Sequence, residues 1–267
     1  MRKIIQILVL TVLGSTLGFA QSSLPAPLGT YAQGIDGLTL LLLGISAFFV
    51  LLITVLLVSF MIRFRARKKD GEGEKIHGNT KLEVLWTVIP FILMVILGIL
   101  AWGPMAEQLA PPKDALVIKI TGYAFDWDFE YFQTVSNSAG TTEETFDFIC
   151  GDPKNFIKVR SLGVKTTHIL RLPVNKPVRF IITATDVLHS WWIPEMRFKR
   201  DAVPNYFSDG WMKPDRIGTF IAKCAELCGS DHALMQARVE VIPLQDFELW
   251  LTSEQLKQAA AAPAPRS

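Results

Sequence analysis

Two long runs without a charged side chain limit how this chain can fold. They cover residues 37–62 and 84–106, and each is long enough to cross a hydrocarbon core about 30 Å thick as a helix. Charged residues make up only 19% of the 267 residues, below the roughly 25% of an average soluble protein. The sequence therefore predicts two transmembrane helices, over residues 37–62 and 83–106.

The segment before these runs has the features of an export signal. Two basic residues precede a short apolar stretch that ends at the small-residue sequence Gly18-Phe19-Ala20. This order is typical of a secretory signal peptide, and the apolar stretch is shorter than a membrane anchor needs. We expect cleavage after residues 1–20, which leaves residues 21–36 as an exported N-terminal segment.

The loop between the two apolar runs, residues 63–82, is predominantly basic. It has seven Lys or Arg residues against three Asp or Glu residues. Because basic residues concentrate in the cytoplasmic loops of membrane proteins, we predict that this loop is cytoplasmic. The N-terminus and everything after the second helix then lie on the outer, periplasmic side of the inner (cell) membrane.

Residues 107–243 consist of short β-branched and aromatic runs separated by turn signals. Seven such runs at this spacing predict an all-β sandwich or barrel. The runs cover residues 115–122, 124–131, 155–161, 167–173, 178–185, 218–223 and 237–242. Apolar residues at helical spacing predict a C-terminal helix with a flexible tail over residues 244–267. A net charge of +2 without a basic stripe argues against a nucleic-acid partner.

Residues 224–235, CAELCGSDHALM, bring together two thiols, an imidazole and a thioether. Strand-like runs on both sides and Gly229 favour a loop here over a helix. The Cys pair fits a disulfide in an oxidising compartment, a structural zinc site or a copper site. Met235 favours copper, because copper electron-transfer sites take a weak axial Met. Two Cys, two His and a Met suit two copper ions bridged by both thiolates.

Such a site needs a second His, and the chain has three outside the cluster. His77 lies in the predicted cytoplasmic loop and is excluded by topology. His168 lies in a polar stretch and is predicted at the surface of a strand. His189 follows a predicted strand and stands at a strand end beside Trp191 and Trp192, so it is the candidate ligand.

At these residues the chain resembles subunit II of the haem–copper cytochrome c oxidases. The shared elements are VLHSWWIPE, the 35-residue interval from His189 to Cys224, the CAELCGSDHALM block and the LEVLWTVIP opening of the second apolar run. The resemblance implies a two-helix transmembrane hairpin followed by an all-β cupredoxin-like sandwich with a binuclear copper centre. It implies that Cys224 and Cys228 bridge two copper ions, that His189 and His232 each bind one, and that Met235 is a weak axial ligand.

The same family implies roles for three acidic residues. The backbone carbonyl of Glu226 would be the other axial ligand, and its carboxylate would face a magnesium ion shared with subunit I. Asp201 matches a family acid near that magnesium ion. Glu83 matches a carboxylate at the mouth of a proton path, although the helix dipole also favours an acid at the start of a helix.

Electron acceptance departs from the family pattern. The family commonly has two tryptophans on one strand, of which the first receives the electron; here Phe125 takes that place and Trp127 remains. Phe125, Trp127 and Trp191 are therefore candidate electron-accepting residues. Four acids form a candidate docking rim for a basic donor: Asp126, Asp128, Glu130 and Asp186. No role is assigned to Cys150, in the 133–163 stretch, which is longer than the family's usual connection.

The resemblance implies an electron-transfer subunit of a cytochrome c oxidase that is not catalytic alone. It would take electrons from cytochrome c and pass them to haem in subunit I, which reduces dioxygen to water and pumps protons, within a complex of further subunits. No haem is expected in this chain, which lacks Cys-x-x-Cys-His. A quinol oxidase subunit would lack the Cys pair. A copper-bearing subunit of a related terminal reductase and a membrane-tethered copper carrier stay open as alternatives.

Overall fold

The computed structural model describes four stretches of the chain, residues 25–65, 78–134, 143–147 and 156–261. The predicted signal peptide, His77, Cys150 and the last residues of the tail lie outside them. The described residues form two compact units. One unit consists of residues 34–107, and the other combines residues 25–33 with residues 108–261.

Two long helices make up the first unit, α1 (Thr30–Arg63) and α2 (Thr80–Gln108). Their most apolar windows have mean hydropathies of 3.0 and 2.7, and no residue in these windows is buried inside the protein. A helix that is apolar on all sides needs apolar surroundings, which a lipid bilayer provides. Both helices contain a predicted apolar run and extend beyond it, and the predicted pair of apolar helices is confirmed.

A polar cap fixes where α2 begins. The side-chain oxygen of Asn79 accepts hydrogen bonds from the backbone N–H groups of Lys81 and Leu82, at 3.1 and 3.3 Å. Such a cap satisfies donors that have no partner within the helix. Glu83 therefore lies in the first turn of α2, where its negative charge also complements the helix dipole.

The second unit is a sandwich of two β-sheets. The strands are β1 Leu116–Tyr123, β2 Asp126–Thr134, β3 Glu143–Asp147, β4 Phe156–Thr167, β5 Ile169–Pro173, β6 Val178–Ala184, β7 His189–Ile193, β8 Phe198–Ala202, β9 Ser208–Met212, β10 Gly218–Cys224 and β11 Gln236–Ile242. The strand order is β3-β4-β2-β1-β6-β9 in one sheet and β5-β11-β10-β7-β8 in the other. Among these strands of the described residues, only the β1–β6 and β5–β11 pairs are parallel.

The predicted β-sandwich is confirmed, but the number of strands was underestimated. The sequence predicts seven strands, and the described residues contain eleven. The four additional strands are β3, β7, β8 and β9, and the last three lie between the fifth and sixth predicted runs. Strand β7 matters most for function, because it carries His189.

Strand β2 shows how the sequence pattern builds the core. Its side chains point alternately to the two faces of the sheet. Three aromatic residues on one face are completely buried between the sheets: Trp127, Phe129 and Tyr131. The acids at the alternate positions are partly exposed, as the sequence pattern predicts: Asp126, Asp128 and Glu130.

Helix α3 (Leu244–Ala261) packs against the sandwich. Phe247 is buried, and the ring centroid of Trp250 lies 5.2 Å from that of Tyr131. The amide side chain of Gln258 accepts the N–H of Lys165 at 3.0 Å and donates to its carbonyl at 2.8 Å. The helix thus covers apolar rings of the sandwich and satisfies backbone groups of β4.

Candidate metal centre

Strands β7 and β10 bring His189 beside Cys224. The two strands are antiparallel neighbours, with Cys224 opposite Trp191. His189 is the first residue of β7 and Cys224 the last of β10, so both lie at the same end of the sheet. The sulfur of Cys224 lies 3.9 Å from Nδ1 of His189. His189 therefore does lie at a strand end, although on a strand that the sequence did not predict.

The loop after β10 places the remaining side chains around Cys228. Its sulfur lies 3.8 Å from Sγ of Cys224, 3.6 Å from Nδ1 of His232 and 3.7 Å from Sδ of Met235. The backbone N–H of Cys224 donates to the carbonyl of Met235 at 3.0 Å, which closes the loop. The segment is a loop with one short 3₁₀ turn, as the sequence favours.

The backbone carbonyl of Glu226 completes the cluster, since its oxygen lies 3.2 Å from Sγ of Cys224. The carboxylate of Glu226 is exposed. All six residues that the sequence predicts as metal ligands thus contribute an atom to one place at the end of the sandwich. His189, Cys224 and Cys228 have ligand atoms that all lie within 4.8 Å of one another.

The two sulfurs are too far apart for a disulfide. An S–S bond is about 2.05 Å long, whereas these sulfurs are separated by 3.8 Å. Both Cys224 and Cys228 are free thiols. The disulfide alternative is therefore not what the structure contains, and both sulfurs are available as ligands.

Burial gives this cluster an unusual acid–base chemistry. Burial, together with the neighbouring Cys224, raises the pKa of Cys228 to about 11. The thiol is therefore neutral at pH 7 unless a cation stabilises the thiolate, and metal binding is accompanied by proton release. Two thiolates, two imidazoles and a thioether are soft and borderline donors that fit copper, whereas zinc rarely recruits a thioether. The donor set thus fits the copper centre that the resemblance implies.

Two residues outside the predicted ligand set shape the position of His189. Oδ1 of Asp186 accepts a hydrogen bond from Nε2 of His189 at 2.8 Å. A Cβ at Gly122 would lie 3.3 Å from Cδ2 of His189 and 2.9 Å from the ring of Trp127, so only glycine leaves room for both rings. The sequence predicts Asp186 only as part of the docking rim, although its Asp-x-x-His spacing is a signal for a contact with His189. No sequence signal pointed to Gly122.

The three candidate electron-accepting residues differ in exposure. Trp127 and Trp191 are completely buried, with their ring centroids 5.0 Å apart and that of Trp127 6.0 Å from His189. Phe125 is partly exposed. Its ring lies against the loop of the metal centre, because a Cβ at Gly229 would lie 2.9 Å from Cε1 of Phe125. Among the three, only Phe125 reaches both the protein surface and this loop.

Two of the three acids of β2 lie beside basic side chains. Glu130 lies 3.0 Å from the ammonium group of Lys165 and 3.7 Å from that of Lys119. Asp126 lies 2.8 Å from Nδ1 of His168, a residue at the surface between β4 and β5. The candidate docking rim is therefore less negative than its carboxylates alone suggest.

Asp201 lies on the strand next to His189. It is exposed on β8 and pairs with Ser190 of β7. The carbonyl of Ser190 accepts the N–H of Ala225 at 2.9 Å, so the Glu226 segment is attached to the same strand. Glu83 belongs to the helical unit and takes no part in this cluster.

Comparison with known proteins identifies the family. The family model described as cytochrome c oxidase subunit II, periplasmic domain, matches residues 116–242, and that of the transmembrane domain matches residues 4–102. A protein of Rickettsia bellii named probable cytochrome c oxidase subunit 2 is 32% identical over 213 residues, which cover 80% of this chain and 76% of that protein. This chain belongs to the cytochrome c oxidase subunit II family.

This subunit II family member is also similar to a second named protein and to a solved structure. Cytochrome c oxidase subunit 2 of Cereibacter sphaeroides is 28% identical over 251 residues, which cover 88% of this chain and 78% of that protein. The periplasmic domain of subunit II of cytochrome oxidase of Bradyrhizobium japonicum is a solved structure with 27% identity and a TM-score of 0.41. The match covers 55% of this chain and 99% of the chain in that structure.

Family membership confirms the predicted identity and the class, a membrane-anchored subunit of an oxidoreductase with a C-terminal β-sandwich domain. The family implies a copper centre, and the cluster of His189, Cys224 and Cys228 fits one. The match also favours an oxidase subunit over a membrane-tethered copper carrier, since the family models cover both the helices and the sandwich.

Proposed function

We propose that this subunit takes electrons from cytochrome c and delivers them to haem in subunit I, where dioxygen is reduced to water and protons are pumped. The observation that most supports the proposal is the convergence of two thiols, two imidazoles and a thioether at one end of the sandwich. When bound there, two copper ions would supply one-electron redox chemistry. The proposed ligands are His189, Cys224, Glu226, Cys228, His232 and Met235.

The residues of the site form a rigid frame that would hold two copper ions. Cys224 is held by strand pairing and by its hydrogen bond to Met235. His189 and Met235 are completely buried, so water cannot replace them as ligands. A site whose ligands barely move when the charge changes needs little reorganisation for each electron that passes. Tight packing around His189 therefore supports an electron-transfer role.

Phe125 is the proposed residue that faces the electron donor. It is partly exposed and touches the loop that carries four of the proposed ligands, whereas Trp127 and Trp191 have no exposed surface. The two tryptophans then pack around His189 inside the domain. A basic donor would be attracted electrostatically to the rim of acids around Phe125. The ion pairs of Glu130 with two lysines weaken this attraction.

The proposal includes an orientation in the inner membrane. The basic loop 63–82 supports a cytoplasmic position for that loop and a periplasmic position for the sandwich. The exposed carboxylates of Glu226 and Asp201 support a magnesium ion shared with subunit I, because hard oxygen ligands suit magnesium. Glu83, in the first turn of α2, is the proposed entrance of a proton path on the cytoplasmic side.

Metal analysis of the full-length protein tests the copper assignment. We expect two copper ions per chain and a mixed-valence electron paramagnetic resonance spectrum with the unpaired electron shared by both nuclei. Cys228→Ser removes one of the two thiolates that would hold the copper ions and should abolish that spectrum, whereas Cys150→Ser, a change of the third cysteine of the chain, should leave it intact. One bound zinc ion, or a disulfide between Cys224 and Cys228 in the loaded protein, would contradict the proposal.

A further inference from the structure

The carboxylate of Asp186 accepts three hydrogen bonds from groups around the metal centre. Oδ1 accepts from Nε2 of His189 at 2.8 Å and from the N–H of Val187 at 2.7 Å. Oδ2 accepts from the N–H of Ala124 at 2.6 Å. Because both oxygens accept hydrogen bonds from N–H groups, Asp186 acts here as an acceptor.

The bond to Nε2 determines which nitrogen of His189 carries the proton. An ionised carboxylate can only accept, so the neutral imidazole must donate from Nε2 and keep the lone pair on Nδ1. Nδ1 is the nitrogen that faces Cys224, 3.9 Å from its sulfur. The ring is completely buried, so no water competes for either nitrogen. Asp186 thus aims a free lone pair at the place where a metal ion would bind.

The second oxygen of Asp186 holds the turn that carries Phe125. It binds the N–H of Ala124, the residue before Phe125. The Phe125 ring in turn lies against Gly229 in the ligand loop. One carboxylate therefore fixes both the imidazole of His189 and the turn proposed to face the electron donor.

We propose that Asp186 is a positioning residue of the metal centre, which holds His189 in the Nε2–H tautomer and joins it to the Phe125 turn. This role is additional to the docking charge that the sequence predicts for Asp186. The inference rests on the proposed function, because copper is the ion that His189 would bind. Its first test, however, needs no metal.

Asparagine at this position cannot make both sets of contacts. If its oxygen accepts from His189 and Val187, its NH₂ group meets the N–H of Ala124, and two donors face each other. If the amide is reversed, its NH₂ group donates to Nε2 and forces the proton of His189 onto Nδ1. Asp186→Asn therefore removes either the turn contact or the lone pair that faces the metal.

Nitrogen-15 NMR of the metal-free, reduced, full-length protein tests the tautomer directly. Only four histidines need to be assigned. About two pH units above the ordinary His pKa of about 6.5, the Nδ1 and Nε2 shifts report which nitrogen bears the proton. We expect Nε2–H for His189 in the wild-type protein and in Asp215→Asn, and an Nδ1–H fraction in Asp186→Asn. Asp215 is a matched control because it is exposed and binds Gln33.

Copper affinity, measured by competition with a chelator, provides the second readout. Loss of a hydrogen-bond partner of a ligand typically weakens metal binding about 10- to 100-fold, and we expect Asp186→Asn to fall in this range. Asp186→Glu keeps a carboxylate and should recover part of the affinity, and Asp215→Asn should match the wild type.

Two results would overturn the inference. They are an Nδ1–H tautomer in the wild-type protein, and a folded Asp186→Asn variant that keeps both the wild-type tautomer and the wild-type copper affinity. A wild-type protein that binds no copper would contradict the proposed function and leave the tautomer result to decide the role of Asp186. If Asp186→Asn does not fold, the wild-type tautomer alone decides.

Discussion

Gly229 is the residue whose backbone the ligand loop depends on most. Its φ is +138°, a value that side-chain-bearing residues rarely adopt. A Cβ there would also lie 2.9 and 3.0 Å from two atoms of the Phe125 ring, closer than such atoms normally approach. The glycine therefore has two roles. It allows the backbone to turn after Cys228, and it leaves room for the ring of Phe125.

Gly229→Ala is expected to lower the free energy of unfolding by about 1–3 kcal/mol from backbone strain, and further because Phe125 must move. Chemical unfolding of the full-length protein in detergent micelles measures this loss. Gly163→Ala is the matched control, because Gly163 has a φ of +68° but nothing within 4 Å of its Cβ position. The control should lose only about 1–2 kcal/mol. Equal losses in the two variants would argue against the contact with Phe125.

At the residue scale, the sequence identifies which side chains could bind metal but not how they are oriented. The residues themselves make Cys224, Cys228, His232 and His189 candidate ligands, and the family resemblance implies the full ligand set. The direction in which Nδ1 of His189 points depends on Asp186. The sequence does not tell whether the Asp186 carboxylate points inward to His189 or outward to a docking partner. Orientation follows from three hydrogen bonds that only the folded chain brings together.

At the scale of elements, strand β7 shows why local pattern underestimated the sheets. Its residues, HSWWI, are almost all buried, so they lack the alternation that marks a strand with one solvated face. β8 and β9 have charged residues and a glycine, which pattern reading assigns to loops. Their extended conformation comes from pairing with neighbouring strands, a long-range effect that local propensity does not contain.

Trp250 is one of two aromatic residues, with Phe247, through which helix α3 contacts Tyr131 of the sandwich. The Trp250 ring lies 5.2 Å from Tyr131 and beneath the guanidinium group of Arg171, 5.0 Å from its centre. We expect Trp250→Ala to lower the free energy of unfolding by about 2–4 kcal/mol, somewhat less than the loss of a fully buried Trp. Leu249→Ala on the same helix, with Leu249 71% exposed, should change it by less than about 0.5 kcal/mol. Thermal unfolding followed by near-ultraviolet circular dichroism compares them, and similar losses would show that α3 does not stabilise the sandwich through this ring.

At the scale of the whole molecule, the two units of the chain suit two different solvents, lipid and water. Large exposed apolar side chains are concentrated on α1 and α2, where lipid would surround them. The sandwich buries its aromatic residues around one core and carries the candidate metal-binding cluster at one end. Charge on the helical unit is therefore confined to its ends, and an acid at either end is where protons can be exchanged with water.

Glu83 and Glu107 lie near opposite ends of α2, separated by 24 residues or about 36 Å along the helix axis. If Glu83 is the entrance of a proton path, Glu83→Gln in the assembled oxidase should slow dioxygen reduction about two- to tenfold. This is less than the roughly 10²–10⁴-fold loss of a catalytic proton donor, because bulk water can still supply protons. Electron acceptance from cytochrome c, followed by stopped-flow absorbance, should keep its rate. Glu107→Gln removes the same group from the opposite end and should leave turnover unchanged. If both changes have an equal effect, or if Glu83→Gln has no effect, Glu83 acts only as an acid at the start of the helix.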